Sequence, residues 1–477
     1  MKDLTKGSPI KLILMFMLPL LVGNLFQQLY LTIDMIIVGQ TLGTQAVAAI
    51  GATNSINFLI LGFAIGLTSG LSILTAQRFG AQDYEGVRKS FAASILISLA
   101  TTIVLTILST LFVRQILELM QTPPELIDQA QAFITVLFVG LFAAVAFNLL
   151  SNVLRALGNA RAPLIFLIVA SIVNILLDYF FILVMNMNTG GVGLATIGAQ
   201  LSATFLCLIY IRKKLPELHL TWSDFKVGKE ELMTHARIAY PMAFQMSIIA
   251  IGTVVLQIAI NALGTDAVAA TTAASKIDQY IFLPMVSFGL TLATFAAQNY
   301  GAKKYERIIQ AIKQGLMLCV GFALIAGVLI LRFGQYFAKL LLGGYDPNVF
   351  ALIQTYFIVN ASMYWLLAIL FILRSTLQGL GNSATPTIAG IMELIMRVAA
   401  AIFLPLFFGY AGAVAANPLA WFGAVVVLVY STVHSMRKLR SMEKTRWANQ
   451  FDQAITPTEQ EIQEIPLFTE EKSAHSL

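Results

Sequence analysis

Apolar residues in this chain fall in long unbroken runs separated by short polar connections, a pattern that suits helices with no watery side. Runs of about 20 apolar residues have the length an α-helix needs to cross the hydrocarbon layer of a bilayer. They predict helices near 10–34, 46–75, 88–112, 128–152, 162–184 and 190–211, and a second six near 238–262, 267–297, 312–331, 350–373, 384–406 and 411–435. The two sets are related. LGTQAVAA at 42–49 returns as LGTDAVAA at 263–270, and QRFGA at 77–81 returns as QNYGA at 298–302, both displaced by 221 residues. Leu157-Gly158-Asn159 with Pro163 is echoed 223 residues later by Leu380-Gly381-Asn382 with Pro386. Six spans per copy put both copies in the bilayer the same way up, about an axis along the membrane normal. The expected fold is an all-α integral membrane protein of twelve transmembrane helices in two parallel six-helix repeats. An N-terminal lobe covers 1–211, a cytoplasmic linker 212–237, a C-terminal lobe 238–436 and a disordered cytoplasmic tail 437–477. Parallel repeats of this kind are a transporter design.

Composition agrees: 58% of the 477 residues are hydrophobic and 11% are charged, which excludes a water-soluble domain. Of the 30 Lys and Arg residues, 25 belong to the N-terminus, the connections after even-numbered spans and the tail, whereas the opposite connections hold three, Arg114, Arg332 and Lys339. Positive charge stays in the cytoplasm, so both termini are expected there. The net charge of +6 is then a matter of topology and gives no reason to expect a nucleic-acid partner. The first apolar run is too long for a signal peptide and is expected to persist as span 1. Cys207 and Cys319 fall inside spans as free buried thiols. The linker is expected to contain a surface-lying amphipathic piece around Trp222.

An ionisable side chain at membrane depth costs several kcal/mol unless it is paired, solvated or neutralised, so each is a functional candidate. The candidates are Asp34, Asp178, Lys276, Asp278, Glu393 and Arg397. In the second lobe, Lys276 and Arg397 balance Asp278 and Glu393 as a possible charge network. The first lobe holds Asp34 and Asp178 with no basic residue at depth, and two such acids must take a proton or a metal cation. Asn174 and Asp178 are four apart and share a helix face, Asp34 closes span 1, and Thr196 lies early in span 6. Carboxylate, amide and hydroxyl oxygens suit Na⁺ as well as a shared proton. Glu393 and Arg397 have the acid-before-base i, i+4 order of a structural ion pair, while Lys276 and Asp278, two apart, point to different faces. Pro19 with Pro241, and Pro163 with Pro386, are matched potential bend points. Gly80 and Gly301 read as helix C-caps.

DMIIVGQTLGTQAVAAIG after span 1, NILLD in span 5, Gly-Val-Gly-Leu-Ala-Thr opening span 6, and the paired RFGAQ and QNYGAKKYE turns resemble the multidrug and toxic compound extrusion (MATE) family over about 10–435. The resemblance implies two six-helix lobes around a central cleft. It implies export of organic cations and other amphipathic compounds in exchange for Na⁺ or H⁺, from a bacterial inner membrane, by a protein acting as a monomer without a cofactor. Family members place a cation site on positions that are Asp34, Asn174, Asp178 and Thr196 here. The acids that some branches carry on spans 7 and 10 are missing, since 241–262 and 350–373 contain neither Asp nor Glu. A major facilitator would carry a basic Gly-Asp-Arg signature where this chain reads FGAQDYEGVRKS. A lipid or glycan-lipid flippase of related fold is the main alternative, and would be indifferent to Na⁺. An intramembrane enzyme is not expected, because His219, His235 and His475 fall outside the spans and His434 lies at the very end of the last one.

Overall fold

The computed structural model describes residues 3–120, 122–342 and 346–455. The first lobe contains α1 (Pro9–Thr41), α2 (Thr44–Gly80), α3 (Tyr84–Leu119), α4 (Pro124–Val139), α5 (Leu141–Ala156), α6 (Arg161–Tyr179) and α7 (Thr189–Lys214). The second contains α8 (Lys229–Asn261), α9 (Thr265–Gly301), α10 (Tyr305–Leu342), α11 (Pro347–Ala361), α12 (Tyr364–Gly379), α13 (Ala384–Phe403), α14 (Pro405–Val414) and α15 (Ala416–Ile455). Ten helices are long and apolar enough to cross a membrane, and the pairs α4/α5 and α11/α12, bent by 48° and 46°, bring the spans among the described residues to twelve. At 37 residues each, α2 and α9 are about 55 Å long, so they project well beyond a hydrocarbon layer of about 30 Å. Rows of apolar side chains such as Met317, Ile325 and Val328 on α10 remain exposed, as a lipid-facing surface requires.

The helix ends follow local chemistry. Pro9, Pro124 and Pro347 open their helices where no backbone N–H is needed, and Asp83 caps α3 by accepting from the Gly86 N–H at 2.8 Å. The repeated Leu-Gly-Thr sits at the tight turns into α2 and α9, where Gly43 and Gly264 take φ of 86° and 100°.

Several expectations change. The matched prolines are not where the spans break: α1 and α8 run on through Pro19 and Pro241, and Pro163 and Pro386 lie in the first turns of α6 and α13. The breaks fall instead at Gly140 and at Ser362-Met363. The linker has no amphipathic helix of its own; α7 reaches Lys214, α8 begins at Lys229, and between them is a single 3-10 turn, Pro216–Leu218. The tail expected from 437 as disorder starts as helix, because α15 continues to Ile455 with Arg446 donating to the Lys303 carbonyl at 2.7 Å; residues 456–477 lie outside the described residues.

The lobes close on each other at the face that carries the N-terminus. Gly66 and Gly70 bring α2 against the backbone of Met242 and Ala239 on α8, where an added Cβ would stand 2.5 Å from the Met242 carbonyl oxygen and from the Ala239 Cα. Leu67, Leu71 and Ala76 share one apolar core with Ile238, Ala243 and Ala297 of the other lobe. Gln77 Nε2 donates to the Gly379 carbonyl at 3.0 Å, and its repeat partner Gln298 donates to the Ala156 carbonyl at 2.7 Å. Gly80 and Gly301 are not left-handed caps. The positive-φ residues are Gln82 and Lys303, and the glycines sit against the backbone of Gln298 and Gln77, leaving no room for a Cβ. Residues before α1 lie over this seam, with Lys304 and Arg307 donating to the carbonyls of Thr5 and Gly7 at 2.8 and 2.7 Å.

Candidate functional site

A cluster of buried polar side chains lies inside the first lobe, on α1, α6 and α7. Asp34 is not at a helix end: α1 continues for seven residues, to Thr41, and holds the carboxyl two turns inside the helix. Asn174 and Asp178, one turn apart on α6, have no exposed surface. Among the described residues both oxygens of Asp178, Oδ1 of Asp34 and both amide atoms of Asn174 are buried without a hydrogen-bond partner, and no Lys or Arg pairs with either acid. The two carboxyl groups face each other, so a hydrogen bond between them requires that one hold a proton. Two unpaired carboxylates in a low-dielectric interior cost several kcal/mol, and a proton or cation removes that cost. Thr196 donates to the Val192 carbonyl at 3.1 Å, which leaves its oxygen lone pairs free. The cluster sets Asp34 against Asp178, with Asn174 one turn along α6, and Tyr30, one turn before Asp34 on α1, lies beside Thr196. Tyr30 precedes Asp34 by four residues, so the i, i+4 rule that pairs Asn174 with Asp178 also points to it. Past Asp178 the helix widens into a π turn, Phe180–Val184, a distortion frequent at functional sites. Among the described residues no three acid, His or Cys side chains cluster as metal ligands, so the donor set is the hard-oxygen one.

Between the lobes, beyond the closed seam, is a cavity of about 860 Å³. It extends along α9 from Leu290 to Thr271, in the first turns of that helix, and so reaches away from the seam at Gly301. Tyr30, Phe58, Phe147, Phe282, Phe371 and Trp421 give it aromatic walls, and Tyr30 stands one turn before Asp34 on the same helix.

The charge network expected in the second lobe separates into two clusters and an outlier. Asp278 is buried and receives the hydroxyls of Tyr356, at 2.8 Å, and Tyr364. Glu393 and Arg397 form the expected pair at 2.8 Å, but Glu393 is also held by Arg374 at 2.7 Å, a residue not among the candidates. Lys276 is exposed, forms no ion pair among the described residues and takes no part in the network. The first lobe is not free of basic residues at depth either: Arg155, assigned by the sequence to a connection, lines the cavity and donates to Asn152 Oδ1 at 3.2 Å.

The MatE family model matches residues 19–180 and 241–403, one stretch in each lobe. The chain belongs to the MATE family. It is similar to the probable multidrug resistance protein YoeA of Bacillus subtilis (strain 168), 27% identical over 80% of this chain and 83% of that protein. It is also similar to the multidrug export protein MepA of Staphylococcus saprophyticus, 24% identical over 86% of this chain and 90% of that one. A solved outward-facing multidrug resistance MATE transporter superimposes with a TM-score of 0.85, at 22% identity, covering 92% of this chain and 98% of its own. The twelve-span, two-lobe architecture is accordingly the fold of the MATE family. Arg155 and Arg374 were missed because apolar runs mark lipid-facing length, whereas α5 and α12 carry their last turns into the protein interior. Tyr356 and Tyr364 find Asp278 only through tertiary packing, and no spacing in the chain signals it.

Proposed function

We propose that this MATE transporter is a secondary active antiporter that exports amphipathic organic compounds, organic cations included, in exchange for inward H⁺ or Na⁺ bound at Asp34, Asn174, Asp178 and Thr196. The observation that carries the reading is the apposition of two unpaired carboxyls beside an amide with no partner of its own. With the Lys- and Arg-rich face in the cytoplasm of a bacterial inner membrane, both termini are cytoplasmic and the cavity opens outward. In that state a cation arriving from outside neutralises the acids of α1 and α6. Tyr30, one turn before Asp34 on α1, lines that cavity, so occupancy of one site alters the shape of the other. A cation drives export only through its different affinity for the outward- and inward-open states, and the low cost of burying a neutralised pair favours the state in which the pocket is most enclosed. The aromatic walls suit flat, hydrophobic and cationic cargo.

Proteoliposomes loaded with a fluorescent cationic dye test this under an imposed Na⁺ gradient, then under a pH gradient alone. Asp34→Asn and Asp178→Asn should each abolish gradient-driven transport while membrane insertion is unchanged. Normal transport by both variants overturns the reading, and the gradient that drives the wild type identifies the ion.

A further inference from the structure

Five charged side chains line the cavity: Arg155, Arg374, Arg397, Asp278 and Glu393. Both carboxylates among them are already engaged. Each Glu393 oxygen takes one guanidinium, Oε2 from Arg374 at 2.7 Å and Oε1 from Arg397 at 2.8 Å, and each Asp278 oxygen takes a tyrosine hydroxyl. The donors are not used up. Arg374 and Arg397 share a single carboxylate, that of Glu393. Arg155 makes its one hydrogen bond to a neutral amide, Asn152, and no carboxylate among the described residues pairs with it. A guanidinium offers five N–H donors and no acceptor, and the three guanidiniums lining the cavity outnumber its two carboxylates, so the lining carries more charged donors than charged acceptors. Buried charge without a counter-ion is costly, and the group that removes the cost is an acceptor carrying negative charge.

We propose that the cleft binds the anionic end, a carboxylate or comparable oxyanion, of an amphiphilic aromatic substrate, with Arg155 from the first lobe and Arg374 from the second as its donors. The aromatic walls take the apolar body, so zwitterionic and anionic amphiphiles join organic cations as cargo. A guanidinium on each lobe also makes such a ligand a bridge across the cleft. The inference rests on the cleft being the transport path, but it concerns binding and stands apart from the coupling ion.

The test is equilibrium binding of two xanthene dyes to the purified protein in lipid nanodiscs, read by fluorescence anisotropy without any gradient and corrected with empty nanodiscs. Fluorescein is anionic, and rhodamine 6G carries a related ring with a positive charge. A hydrogen bond to a charged group contributes about 1.5–3 kcal/mol, so Arg155→Gln and Arg374→Gln should each weaken fluorescein about tenfold more than rhodamine 6G, and Arg155→Lys should recover part of the loss. On the wild type alone, rhodamine 19, the free acid of which rhodamine 6G is the ethyl ester, should bind about tenfold more tightly than rhodamine 6G, which keeps the test decisive if a variant does not fold. Equal weakening of both dyes, or an ester that binds as well as the acid, overturns the proposal. Loss of gradient-driven export in Asp178→Asn with this anion preference intact separates the two readings, since only the coupling would then depend on the acid pocket.

Discussion

At the scale of single residues, the chain isolates negative charge in one lobe and encloses it with positive charge in the other. Among the described residues Asp34 and Asp178 pair with no Lys or Arg, whereas Glu393 lies between two guanidiniums. The difference gives opposite expectations for neutralisation. At Asp178 an amide replaces a carboxyl that already lacks a partner, so folding is spared and transport is lost. At Glu393 the same change leaves Arg374 and Arg397 facing each other in the interior, and breaking a buried ion pair from one side costs about 3–5 kcal/mol. Glu393→Gln should therefore lower the thermal unfolding midpoint by several degrees in intrinsic tryptophan fluorescence, and Asp178→Asn should not; equal midpoints for the two variants would show that the guanidiniums find other partners. Asp34, Asn174 and Asp178 were legible in the sequence because helical spacing and the cost of buried charge are local facts. Arg374 was not, because its place depends on where α12 ends relative to the other lobe.

At the scale of helices, the apolar runs fixed the number of spans while leaving their bends and joints unread. Hydropathy cannot distinguish a straight span from α4/α5 or α11/α12, since the break at Gly140 or Ser362-Met363 changes direction without changing composition. Proline, the usual sign of a bend, misleads here because two of the matched prolines sit in first turns that need no N–H. The repeated glycines were visible as a motif, yet the sequence gives no hint that each packs against the opposite lobe. Gly80→Ala and Gly301→Ala each place a methyl group against the backbone of the facing helix, and backbone cannot rotate aside as a side chain can. Each should add a longer-distance population between spin labels at Lys89→Cys and Glu306→Cys, exposed positions on the seam face of the two lobes, measured by double electron–electron resonance. An unchanged distance distribution would mean that the facing backbones absorb the added methyl without parting the lobes.

At the scale of the whole molecule, the seam has kept the symmetry of the duplication and the chemistry has not. Gln77 and Gln298 reach across to the ends of α12 and α5 through the same bond in each direction, while the acid pocket exists in one lobe and the Glu393 sandwich in the other. An asymmetric driver acting on a symmetric joint suits a rigid-body transition, because each lobe's latch is anchored on its partner and neither can open alone. Ala76 and Ala297, repeat-related and both buried in the seam, report on this when replaced by cysteine in a background with Cys207→Ser and Cys319→Ser. A hydrogen bond of this type contributes about 1 kcal/mol, so Gln298→Ala should raise the open population, and with it maleimide labelling, about fivefold. All-or-none opening requires that labelling at Ala76→Cys rise by the same factor as at Ala297→Cys, although the lost glutamine lies next to only the second. A rise confined to Ala297→Cys would mean that the helix end frays locally and that the two lobes do not separate as units.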